Sequence, residues 1–264
     1  MPDLTEEILS DGVKNSPDDD PWRGCWFLFL AFALCVAIAI ILPKPADNCG
    51  RNRADAKRLL EDIDAWNSWR SQYPERGYDL KNSDFRACSL DGALLQNSSL
   101  FKSCLTGVSL VGANLENTNI SQAFLEDANL SSAKLMDASF IGSILTGVNL
   151  SNVDARGARF RTSDLRNADL SESDLTNAEF WGADLSGARL NGADLSGADL
   201  TFASLENVGG WDAIKSIKCA NIFGMNAQYD FRMWALAHGA LEIGEDEVVN
   251  WRELRDQCMG SDEN

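Results

Sequence analysis

From residue 80 to residue 205 a large apolar side chain returns at every fifth position, with one interruption at Ala155. Leu90, Leu95, Leu100, Leu105, Leu110 and Leu115 show the period, and so do Leu185, Leu190, Leu195 and Leu200. Two places before each stands a small or β-branched residue, from Ala168 onward nearly always alanine. Five residues advance an α-helix by about 500°, so the leucines would wander around it without forming a stripe. On a continuous strand an odd spacing throws successive leucines onto opposite faces. The period works only if the chain turns once per repeat and every leucine points to one axis. Asn, Asp, Ser and Gly fill the remaining places, as turns require. Repeats that each bury one leucine must stack to make a core, so residues 78–208 are predicted to form an all-β solenoid.

The pentads ADLSG (183–187 and 193–197), ANLEN (113–117) and ADLSE (168–172) resemble those of the pentapeptide-repeat proteins. The resemblance covers about half the chain and implies a right-handed quadrilateral β-helix with four pentads per coil. On such a coil Phe140, Phe160 and Phe180 fall one above another as an interior ladder. Phe160 is expected to fill volume that Ala155 leaves, since leucine-sized holes cost about 2–5 kcal/mol. Cys88 takes an inward small-residue position and reads as a small hydrophobe. The outward positions are mostly polar; the apolar exceptions are Leu94, Phe101, Val111, Phe124, Met136, Ile141, Ile144 and Trp181. Phe124 and Ile144 are expected to stack on one face with Ile141 across a corner. With Phe101 and Trp181 they form a candidate interaction patch. The plainer reading is a scatter of surface apolar residues.

Ahead of the repeats, residues 24–42 carry no charge over a length that, at about 1.5 Å per residue, matches one bilayer hydrocarbon core. Trp22 and Trp26 sit at one end and Pro43 and Pro45 at the other, which predicts a single transmembrane helix over 22–43 following an acidic, disordered head at 1–21. The run is too long and too far from the start for a cleaved signal peptide. Lys14 and Arg23 lead it, whereas Lys44, Arg51, Arg53, Lys57 and Arg58 follow. Counting Lys and Arg alone therefore leans the repeat domain toward the cytoplasm.

Residues 46–77 form a juxtamembrane region in which Leu59, Ile63, Trp66 and Tyr73 place an apolar stripe on a helix over 54–73, read as a lid on the first coil. After Leu205 the pentads stop, and 209–264 reads as a C-terminal cap. It comprises a further strand at 220–224, a helix over 228–238 ending at Gly239, and a second helix over 246–258. His238 is placed to cap the first of these helices.

Charge and composition narrow the function. The 264 residues carry 23 Lys and Arg against 40 Asp and Glu, a net charge of −17, which argues against direct binding to nucleic acid through phosphate contacts. One histidine excludes chemistry needing a histidine pair, and no phosphate loop or nucleophile elbow is present. The seven cysteines, odd in number and without CxxC spacing, point to neither a disulfide framework nor a metal knuckle. No catalytic, metal-binding or cofactor-binding residue is assigned. The reading is a single-pass membrane protein acting as a non-catalytic scaffold for an unknown protein partner, a second copy of the chain in a homodimer being one candidate. The alternative, carried by the family resemblance, is an acidic DNA mimic that binds a topoisomerase or another DNA-binding protein. The columns Asp154, Asp174, Asp194 and Asp164, Asp184 suit it, while Arg156, Arg159, Arg161, Arg166 and Arg189 interrupt them.

Overall fold

The computed structural model describes residues 54–243 and 251–260. The apolar run 24–42 lies outside them; among the described residues no helix is long and apolar enough to cross a membrane.

Each pentad bends the chain once. The carbonyl of an inward leucine accepts a hydrogen bond from the N–H three residues on, as in Ala93 N to Leu90 O (3.1 Å) and Ala113 N to Leu110 O (3.0 Å). The third residue of each turn is left-handed, with φ of 67° at Gly92 and 61° at Asn97. Glycine takes that conformation freely and Asn or Asp at small cost, which is why those types dominate this place in the pentad.

After four turns the chain returns to pair in parallel with itself. Asp79 bridges Ser99, Ser99 bridges Asn119, and this register holds up to Arg189 with Gly209. There a short 3-10 turn, Trp211–Ala213, adds two residues, and Asp194 pairs instead with Ser216. Coiling continues past the end of the regular pentads: β1 (Ser204–Leu205) pairs in parallel with β2 (Asn226–Ala227), and Asn221 bridges Leu241.

The inward residues at the fifth positions, Ala155 included, are fully buried in one continuous core. Phe140, Phe160 and Phe180 stack inside it with ring centroids 5.0 and 5.1 Å apart and planes within 7° of parallel. At several places where serine or threonine replaces the small apolar residue, its hydroxyl donates to a leucine or isoleucine carbonyl of the neighbouring coil. Ser103 bonds Leu80 O (2.9 Å), Thr118 bonds Leu95 O (2.8 Å) and Ser143 bonds Ile120 O (2.8 Å), so these buried polar groups carry little penalty.

The stretch 54–73 is not one helix. It divides into α1 (Ala54–Glu61) and α2 (Ile63–Ser71), because Asp62 is extended (φ −160°) and its side chain caps α2 by accepting from Ala65 N. Such short acidic side chains favour N-caps over helix interiors. The helices meet a specific need of the first coil, whose carbonyls have no preceding coil to bond. Trp66 Nε1 and Arg70 Nε both donate to Leu94 O (3.0 Å each), and Arg70 Nη2 donates to Gln96 O (2.8 Å). Asn67 donates to Gly92 O and accepts from Leu94 N. Arg70 is completely buried and lies over the Tyr78 ring at 4.8 Å. Burial lowers its pKa, offset in part by Tyr78. Tyr73, assigned to the apolar stripe, is instead 51% exposed.

At the other end, α3 (Tyr229–Ala237) buries Phe231 and Ala235, with Trp211 and Trp234 against Phe231. His238 follows as its C-cap; its ring stacks on Trp234 at 4.2 Å and Nδ1 lies 2.7 Å from Trp234 O. Helix α4 (Trp251–Gly260) is joined to the tube by a Cys219–Cys258 disulfide, and Cys104 is disulfide-bonded as well. This corrects the reading of the cysteines from their number and spacing. Cys219 and Cys258 are 39 residues apart in sequence, a distance on which local motifs are silent.

Candidate functional site

The bridges sort the outward side chains into four columns, one for each side of the tube. Three are polar over the middle coils: Asn119 and Ser139; Asn129 and Asn149; Asn114 and Lys134. The fourth reads Asp84, Cys104, Phe124, Ile144, Asp164, Asp184 and Ser204. Above Asp84 its lower coils are apolar, and its upper coils are acidic.

Phe124 and Ile144 occupy adjacent coils in register and are half-buried. The ladder bonds of one corner beside them join Lys102 N to Ser121 O, Gln122 N to Ile141 O and Gly142 N to Arg161 O. Phe101, Ile141 and Trp181 thus occupy alternate coils of that corner. Ile141 stands on that corner, three residues before Ile144 in the same coil. Phe101 lies one coil below Ser121, with Lys102 Nζ 5.2 Å from its ring centre. Trp181 belongs to a separate aromatic cluster: Arg161 lies over its ring (5.6 Å), Phe202 meets it edge-on (6.2 Å), and Phe223 follows (5.6 Å). Of the five patch candidates, then, the structure brings three together; Phe101 sits at the margin and Trp181 in a different group. Cys104, between Asp84 and Phe124 in the column, is only 1% exposed despite its outward strand position. Sequence reasoning passed over it because cysteine is unremarkable as a single surface residue.

The acidic half is threaded with cations. Arg166 lies 2.6 Å from Asp164 and 3.9 Å from Asp184. Burial alone would raise the Asp164 pKa, but hydrogen bonds and charge from Arg166 hold it below the usual carboxylate value. On the opposite side of the tube Arg156 bonds Asp154 (2.7 Å) and approaches Asp174 (3.7 Å), while Lys215 reaches Asp194 (3.1 Å). The Arg156 bond depresses the Asp154 pKa against the effect of burial. Among the described residues no group of His, Cys, Asp and Glu is arranged to hold a metal ion.

Parallel coils, a left-handed residue at each bend and a leucine ladder inside define the class of protein: a right-handed β-helix built on a five-residue repeat. The chain belongs to the pentapeptide-repeat proteins. The family pattern, pentapeptide repeats, matches in eight copies across residues 79–117, 109–147, 133–172, 143–182 and 173–208. Among solved structures the chain is similar to QnrB1, a plasmid-mediated fluoroquinolone resistance protein, in a trypsin-treated form. The identity is 16%, covering 63% of this chain and 92% of that one, with a TM-score of 0.34. It is also similar to HetL, a pentapeptide repeat protein involved in heterocyst differentiation regulation from the cyanobacterium Nostoc (28% identity, 58% and 80% covered, TM-score 0.20). A third is a pentapeptide repeat protein from the thylakoid lumen of Arabidopsis thaliana (23% identity, 58% and 87% covered, TM-score 0.18). No curated protein matches the chain.

Proposed function

We propose that this protein is a single-pass, membrane-anchored, non-catalytic scaffold that holds a protein partner against the Phe124–Ile141–Ile144 face. The observation that carries this reading is the asymmetry of the tube. At the same two levels, three columns carry polar side chains and one carries Phe124 and Ile144. Outward positions lie outside the leucine core, so two half-buried apolar residues stacked there leave apolar surface facing water that a polar pair would not. Contiguous apolar surface of this kind marks contact sites. The uncharged run 24–42 supports the anchor. Ion pairing of Asp154, Asp164 and Asp194 with Arg156, Arg166 and Lys215 weighs against the DNA-mimic alternative, because paired carboxylates do not present a run of phosphate-like charge.

The test is affinity capture of the tagged full chain from detergent. Wild type is compared with Phe124→Asp/Ile144→Asp and with a polar-face control, Asn129→Asp/Asn149→Asp. A partner, whether another protein or a second copy of this chain, should be kept by wild type and the control and lost by the first variant. Equal recovery by all three would discard the face.

A further inference from the structure

Over the last coils, the corner that carries Phe101 and Ile141 ends in three aromatic side chains. Phe202 takes the third place of its turn with φ of 56°, the place that glycine holds in the coils on either side, Gly182 (63°) and Gly224 (62°). Among the described residues it is the only aromatic one in this left-handed region, which side chains of its size seldom enter. The core does not explain it, because Phe202 is only half-buried. Its ring lies across Gly224, where any side chain would collide with it, and it meets Trp181 edge-on at 6.2 Å and Phe223 at 5.6 Å. A costly bend and a glycine thus hold three half-buried rings together in one outer strip.

The strip is flanked by acids. Glu179 and Asp199 stand in the strand column before its turns, and Asp184 in the column after them. Across residues 177–208, Glu179, Asp184, Asp194, Asp199 and Glu206 face a single cation, Arg189. At the lower end of the strip the Arg161 guanidinium lies 5.6 Å from the centre of the Trp181 ring and 4.0 Å from Glu179. A guanidinium shared between a ring face and a carboxylate is therefore already part of this corner. We propose that the Trp181–Phe202–Phe223 strip receives an arginine-bearing segment of a partner protein, with the guanidinium against the rings and Asp184 and Asp199 balancing its charge. Aromatic faces attract cations through the ring quadrupole. Arginine suits such a site better than lysine, because its planar group stacks and is more weakly hydrated. The rings read one side chain here, in place of a phosphate-like row of carboxylates. The strip shares no residue with the Phe124–Ile141–Ile144 face and does not rest on it.

The experiment uses the full-length chain in a non-ionic detergent and three fluorescein-labelled Gly/Ser peptides. They are identical except at two positions, which carry arginine, lysine or the neutral isostere citrulline, and affinity is read by fluorescence anisotropy. Wild type should bind the arginine peptide most tightly and the citrulline peptide about fivefold more weakly or worse. Phe202→Gly removes the central ring yet keeps the bend, since it restores the residue type of both neighbouring coils. It should weaken the arginine peptide about fivefold, and Asp184→Asn/Asp199→Asn should do the same. Asp137→Asn/Glu172→Gln removes equal charge from other corners of the tube and should leave the affinity within about twofold of wild type. Absence of binding by the arginine peptide, equal binding by the citrulline peptide, or full affinity in Phe202→Gly overturns the proposal. An equal loss in both charge variants overturns it too, as does a lysine peptide that binds as tightly as the arginine one.

Discussion

The column that carries Phe124 and Ile144 and the column that carries Asn129 and Asn149 share one backbone. Both pair in parallel at the same coil levels, and both are backed by fully buried leucines such as Leu125, Leu130, Leu145 and Leu150. Only the side chain facing water differs. The fold is thus decided by the inward residues and the bends, while the outward residue of each strand is free to be set by contact with something else. That freedom makes a pair of apolar residues in one column informative, where the same pair in a helical bundle would merely be core.

The comparison can be broken hardest from within. Phe160→Ala opens a hole between Phe140 and Phe180, and the loss should be about 3–5 kcal/mol, read as a drop in the urea midpoint of the solubilised chain. Next is the N-terminal end. Arg70→Ala takes the guanidinium donors from the Leu94 and Gln96 carbonyls, leaving Leu94 O with Trp66 Nε1. It should cost about 1–3 kcal/mol, seen as faster amide exchange confined to the first coil and the helices over it.

Smaller effects belong to the outer surface. The folded-state pKa of Asp164 lies below its unfolded value. Its pairing therefore stabilises the fold above the unfolded value near pH 4 and fades as pH falls through the folded one. Arg166→Gln should cost about 0.2–1 kcal/mol at pH 7, given the exposure of the arginine. The gap from wild type should narrow as the pH is lowered through the acid range, as paired urea melts would show. Smallest of all, Phe124→Asp/Ile144→Asp should leave the midpoint within about 0.5 kcal/mol of wild type, although it abolishes capture of the partner.

The interior was legible because a period of five is incompatible with any straight element. The leucines, the stacked phenylalanines and the adjacency of Phe124 and Ile144 all follow from that one fact plus the four-pentad coil that the family resemblance implies. The ends were less legible for separate reasons. The two-residue shift that pairs Asp194 with Ser216 follows no repeat. The break at Asp62 is a capping event inside what reads as one amphipathic stripe. Arg70 looks like a solvent-facing charge until the unbonded carbonyls of the first coil give it a task. The disulfides were invisible because pairing depends on proximity in space, and Cys104 and Cys219 stand at ordinary outward and turn positions.

The claim that one side of the tube is the contact face is tested most directly by photo-crosslinking in the native membrane. A benzophenone amino acid is placed in turn at positions 124, 144, 129 and 149. The account predicts a discrete higher-mass adduct from 124 and 144 and none from 129 and 149. Adducts of equal yield from both columns, or from 129 and 149 alone, would contradict it.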